Sequence, residues 1–143
     1  GDQSEQLTAV FASRACMIQP FLRSVTELGE WSLFYFGGQY SHAIRKCPKA
    51  GDFRVQEEHG AEILADEPPG VLQTLAERAL AQAPSKLLYA RVDFLMDQGQ
   101  QPRLIELELI EPSLYFRMQR DAAHRFADAV DRWPVVSSSR RMG

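Results

Sequence analysis

The sequence is short of several things, and each shortage excludes a class of protein. It has 2 cysteines in 143 residues. These, Cys16 and Cys47, fit no spaced thiol pattern, so neither a disulfide framework nor a structural zinc site is indicated and reduced thiols are expected. The formal net charge is only −3, which supplies no broad positive field for nucleic acid or an anionic membrane. No apolar run approaches the roughly 20 residues that cross a bilayer. The start Gly1-Asp2-Gln3-Ser4-Glu5 lacks the basic and apolar regions of a signal peptide. A cytoplasmic protein with no nucleic-acid and no membrane partner is expected. There is no GxGxxG or Walker A phosphate loop. His42, His59 and His124 share no metal-ligand spacing, which predicts surface or internally satisfied histidines.

What is present is the composition of a globular domain, 45% apolar and 24% charged, at a length that can bury one core. Leu7, Val10, Phe11 and Ala15 fall at helical spacing between Glu5 and Cys16. Met17-Ile18-Gln19-Pro20-Phe21-Leu22 reads as a short buried strand or hinge, with a polar connector up to Gly29. Glu30 to Phe36 and Gln39 to Lys46, joined by Gly37-Gly38, predict a hairpin. After the Pro48 to Asp52 turn, Phe53 to Glu57 reads as extended. Pro68-Pro69-Gly70 then opens a helix with an apolar stripe from Leu72 to Ala83. Leu87 to Met96 and Arg103 to Ile110 predict a second hairpin, and Ala122 to Trp133 a last helix. The expected fold class is α+β, a mainly antiparallel sheet with flanking helices over residues 1–133, followed by a disordered tail over 134–143.

The second hairpin carries the most chemistry. Side chains two apart share a strand face, so Glu106 and Glu108 point one way while Ile105, Leu107 and Leu109 point to a core. On the partner strand Arg91 and Asp93 oppose Val92 and Phe94. If the polar faces coincide, three carboxylates and one guanidinium converge, an arrangement that suits Mg²⁺ or Mn²⁺ between hard oxygen donors. The same spacing also fits a solvated face on which Arg91 pairs with one acid. Arg45, Lys46, Lys49 and Arg54 form a second group that would suit a phosphate-bearing ligand, or would equally be a charged surface strand.

Taken in order, these runs resemble the carboxyl-terminal half of an ATP-grasp ligase of the glutathione synthetase type, from Met17 to about Val130. The resemblance implies a hinge with Gln19, Phe21 and Leu22 near adenine, and Glu30 on the ribose hydroxyls. It implies Lys46 and Arg54 as cations for the phosphates and the acyl phosphate, and Arg91 near the reacting group. Asp93, Glu106 and Glu108 would be ligands of Mg²⁺ or Mn²⁺. In that family asparagine often stands at the position of Glu108, so the metal site here would be more negative. The implied activity is ATP-dependent joining of a small carboxylate to an amine through an acyl phosphate, with ATP and a metal ion as cofactors. The spelling from Glu106 to Tyr115 looks most like relatives that include a cyclo-ligase of the cycloserine pathway. ATP-grasp enzymes carry an amino-terminal domain, two phosphate-binding lysines and a phosphate loop upstream of the hinge. Here the first lysine is Lys46, so a piece of a longer enzyme, partnered by a missing domain or by itself, is expected. The alternative is a non-catalytic dimerisation or partner-binding module on a degenerate form of the fold.

Overall fold

The computed structural model describes residues 4–13, 15 and 17–134. The expected tail from 135 onward lies outside them, as does Cys16. The described chain runs α1 (Ser4–Phe11), α2 (Ser24–Glu27), β1 (Glu30–Phe36), β2 (Gln39–Cys47), β3 (Glu62–Ala65), α3 (Gly70–Leu80), β4 (Tyr89–Met96), β5 (Pro102–Glu108) and α4 (Ala122–Asp131), with short 3-10 turns at Glu57–His59 and Phe116–Met118. The five strands form one sheet in the order β3-β2-β1-β4-β5, and every neighbouring pair is antiparallel. The expected α+β class is the one observed. Among the described residues no helix is long and apolar enough to cross a membrane.

The aromatic-rich β1 is buried on both faces because it lies at the centre of the sheet. Its alternation sends Trp31, Leu33 and Tyr35 to one side, where they join Ala43, Val92 and Phe94 beneath Leu72 and Ala76 of α3. Area burial of this kind is the main stabilising contribution, about 25 cal/mol per Å² of apolar surface. The other face is divided. Phe36 packs with Ala122, Phe126 and Ala129 of α4 at one end, and Leu95 packs with Val25 and Val55 at the other. Charged side chains fill the space between.

Four expectations need correction. The stretch 17–22 is neither strand nor buried: Met17 and Ile18 are 82% and 89% exposed, and only Leu22 packs inward. Pro20 has no N–H to offer a ladder, and the sheet edges here are β3 and β5. The polar connector contains one helical turn, α2. The stripe Leu7, Val10, Phe11 of α1 stays exposed, and α1 ends at Phe11. Finally, Ile105 does not enter the core. Asp93 pairs with Glu106 but Phe94 pairs with Leu104, so Ile105 is the extra residue of a β-bulge, which leaves it unpaired and turns it outward.

Candidate functional site

The divided face of the sheet gathers the charges. Glu30 on β1 sits opposite Lys46 on β2, Ser32 opposite Asp93 on β4, and Arg91 and Asp93 opposite Glu108 and Glu106 on β5. Lys46 Nζ donates to Glu30 Oε1 at 2.9 Å and lies 3.7 Å from Asp93 Oδ2. Arg91 grips Asp93 with two nitrogens, Nε at 3.0 Å and Nη2 at 2.8 Å. The same Nη2 reaches Glu106 at 3.1 Å and Glu108 at 2.5 Å. A continuous ionic chain therefore runs across four strands, Lys46 and Glu30 at one end and Glu106 and Glu108 at the other.

Burial gradates along this chain. Asp93 is 1% exposed, whereas the Glu106 side chain is 56% exposed. Burial pushes the Glu30 carboxyl above its ordinary value, and the Lys46 charge and hydrogen bond only partly offset this. For Arg91 burial disfavours the charge, but the hydrogen bonds and charge of Asp93, then Glu108 and Glu106, outweigh it and hold the guanidinium above its usual range. Ser32 Oγ, on the same face and opposite Asp93, is buried with no hydrogen-bond partner among the described residues.

Beside the Glu30 end opens a cleft of about 920 Å³. Its lining includes Gln19, Phe21 and Leu22 of the entering chain, Glu30, and Phe53, Arg54 and Val55 from the β2–β3 loop. Leu95 and Ile105 close it from the β4–β5 side. Phe21 and Phe53 meet edge to face at 5.8 Å. The four residues expected near a nucleotide, together with Arg54, thus share one cavity. Arg54 is nevertheless turned to Asp52, which it holds through Nε at 3.0 Å and Nη2 at 2.6 Å. That pairing pulls the Asp52 carboxyl below the usual range. Arg45, grouped with Lys46 from the sequence, projects to the opposite face, over the Trp31 ring and against Asp66 at 2.8 Å. Asp93, Glu106 and Glu108 do converge on a cation, the guanidinium of Arg91. Among the described residues no group of three His, Cys, Asp or Glu side chains is arranged to hold a metal ion.

Sequence reasoning missed the loop that borders the Arg91 end. Tyr115 adopts a left-handed backbone, φ 47°, and stands 6.1 Å from the Phe34 ring. Arg117 lies over the Tyr115 ring at 5.0 Å and pairs with Glu57 at 2.5 Å, which ties this loop to the β2–β3 loop. His42, expected to be a satisfied histidine, is one: Nε2 meets the Leu114 carbonyl at 3.1 Å and Nδ1 meets Ser41 Oγ at 3.0 Å. The carbonyl accepts, so Nε2 carries the proton and the ring is stacked on Phe34 at 4.4 Å. Burial lowers the His42 pKa from 6.5 to about 4. A depressed histidine favours folding above its unfolded pKa, and that contribution is lost as the pH falls through 6.5 toward 4. We expect unfolding stability to drop by about 2 kcal/mol between pH 7 and pH 5 from this group. A His42→Gln variant should lose that part of the slope in urea titrations at the two pH values; an unchanged slope would contradict the assignment.

No protein-family sequence model matches the chain. The cycloserine biosynthesis protein DcsG of Streptomyces lavendulae is 32% identical over 124 residues, covering 80% of this chain and 40% of that protein. The crystal structure of the D-cycloserine synthetase DcsG superposes with a TM-score of 0.67 at 33% identity, over 78% of this chain and 40% of that one. A D-alanine–D-alanine ligase from Bacillus anthracis, solved with ATP, gives 0.56 at 20% identity over 89% of this chain and 45% of that one. The ATP-grasp ligase PsnB, solved with a precursor variant, Mg and ADP, gives 0.56 at 19% over 79% of this chain and 33% of that one. The last two matches establish the fold. The chain spans about 40% of the length of the DcsG relative. The chain is thus similar in sequence to DcsG and in fold to the ATP-grasp ligases, of which it matches a carboxyl-terminal-type part.

Proposed function

We propose that residues 17–133 form the nucleotide-binding half of an ATP-dependent ligase that joins a small carboxylate to an amine or similar nucleophile. The observation that carries this reading is the continuity of the cleft with the ionic chain: Glu30 lines the first and is bonded into the second. Phe21, Leu22 and Leu95 offer apolar surface to a base, and Gln19 offers an amide to its edge. Lys46 occupies one oxygen of Glu30, and the other can accept from a ribose hydroxyl. From there the phosphates run toward Lys46 and Arg91, with Arg54 free to swing in from the exposed Asp52 pair.

In the first step an oxygen of the substrate carboxylate attacks the γ-phosphorus, the bond to the β,γ-bridging oxygen breaks, and ADP leaves. In the second the amine attacks the acyl carbon, loses a proton, and expels inorganic phosphate as the C–N bond forms. The chain's own residues position the reactants and neutralise charge: Arg91 stabilises the negative charge that builds on the transferring group, and Lys46 fixes Glu30. The donor chemistry suits Mg²⁺ or Mn²⁺, because Asp93, Glu106 and Glu108 are hard oxygen ligands on one face and Ser32 Oγ is an unpartnered polar atom beside them. Such an ion, held by Glu106 and Glu108 with Asp93 adding negative charge behind them, would neutralise phosphate charge. The reading places the protein in the cytoplasm, where ATP is available, with an acceptor-binding domain as its partner.

A second reading, a partner-binding or dimerisation module, draws on the apolar side chains exposed along and just beyond β5: Leu104, Ile105 and Ile110. Calorimetric titration with a non-hydrolysable ATP analogue separates the two. Metal-dependent binding that Glu106→Gln weakens by about tenfold or more supports the ligase site. Failure of the folded chain to bind, with concentration-dependent sedimentation unaffected by the substitution, would favour the module.

A further inference from the structure

The ionic cluster is short of both hydrogens and positive charge. Arg91 Nη2 lies within 3.1 Å of three carboxylate oxygens, those of Asp93, Glu106 and Glu108. A guanidinium NH₂ has two hydrogens, and the two hydrogen bonds it makes go to Asp93 and Glu106. Glu108 is left with proximity to the charge. With Glu30 and Lys46 included, four carboxylates face two cations, a formal excess of two negative charges, and like charges so close are costly when partly buried. The Ser32 hydroxyl adds a buried polar atom on the same face with no hydrogen-bond partner among the described residues.

The carboxylates are not equally free to respond. Asp93 is locked by both Nε and Nη2 of Arg91 and is nearly inaccessible. The Glu106 and Glu108 side chains are 56% and 26% exposed, so their pairing with Arg91 is cheaply exchanged. We propose that Arg91 is a built-in counter-ion that competes with a divalent cation for Glu106 and Glu108. Arrival of the cation moves these two carboxylates off the guanidinium. Arg91 is then held by Asp93, with its remaining N–H groups released toward an anion. Metal binding and anion binding are coupled by this exchange, and the coupling element is one side chain. The inference rests on the reading of these acids as metal ligands given above.

The test is titration with Mn²⁺ in the absence of nucleotide, followed by the electron paramagnetic resonance signal of the free ion. Arg91→Lys keeps the charge and a cation beside Asp93, so the fold is retained, but lacks the planar fork that reaches several carboxylates. It should bind Mn²⁺ about threefold more tightly than the native chain, and Arg91→Gln, which also removes the charge, about tenfold. Equal or weaker binding by Arg91→Lys, with its melting transition intact, overturns the competition. If the native chain still binds Mn²⁺ and Glu106→Gln does not, the metal reading survives that result. Absence of Mn²⁺ binding in the native chain and both Arg91 variants overturns the metal reading, and the competition with it.

Discussion

Asp93→Ala is expected to cost about 3–5 kcal/mol of folding stability, because it removes the anionic partner of buried cations. Asp93 lies in the middle of the sheet and accepts from Arg91 the single Nε–H, shared between its two oxygens, and one N–H of Nη2. It also sits 3.7 Å from Lys46. Without it, Arg91 keeps only the exposed Glu106 and the half-buried Glu108, and Lys46 keeps only Glu30, among the described residues. A loss of that size is a large part of the roughly 5–15 kcal/mol that holds a domain of ordinary size together. Asp93→Asn keeps the shape and one carbonyl acceptor, so it should cost less than the alanine variant. Urea unfolding of both variants measures this, and a loss below about 1 kcal/mol for Asp93→Ala would show that the ionic chain is not a buried network.

Gly29→Ala is expected to cost about 2–4 kcal/mol, from left-handed backbone strain plus overpacking. Gly29 has φ +79°, and a Cβ built there would meet the Lys46 carbonyl oxygen at 2.7 Å and Cys47 Sγ at 3.0 Å. The obstruction is backbone, so it cannot rotate away. Relief requires the start of β1 to move from the end of β2, which separates Glu30 from Lys46 and opens the wall of the cleft. The variant should therefore lose nucleotide affinity as well as stability. A Gly29→Ala chain as stable as the native one would mean that the close approach at this turn relaxes without penalty.

Much of this arrangement is written in short-range pattern. Gly37-Gly38 both take positive φ, as the expected hairpin requires, and the period-two alternation of Arg91, Asp93, Glu106 and Glu108 places them on one face as read. The same rule assigns Leu95 to the Asp93 face, where it lines the cleft. Other features depend on contacts that no local pattern encodes. The bulge at Ile105 breaks the alternation inside a run of residues that reads as uninterrupted strand. β3, four residues long, exists because β2 offers it an edge. The stretch 17–22 has the apolar content of a strand but no neighbour to pair with. The sequence spacing could bring the acids together, but only tertiary geometry shows that they close on Arg91. Tyr115 likewise carries no sequence signal for its left-handed backbone, which accompanies the His42 contact with the preceding carbonyl.

The account stands on one cleft receiving the nucleotide, and amide chemical-shift mapping with a non-hydrolysable ATP analogue and Mg²⁺ tests that directly. The largest shifts are expected at Phe21, Leu22, Glu30 and Phe53 to Val55, which line that cavity, with smaller ones at Lys46 and Arg91. Shifts centred on Leu72 and Ala76 of α3, on the other side of the sheet, or no shifts at all in the folded chain, would contradict it.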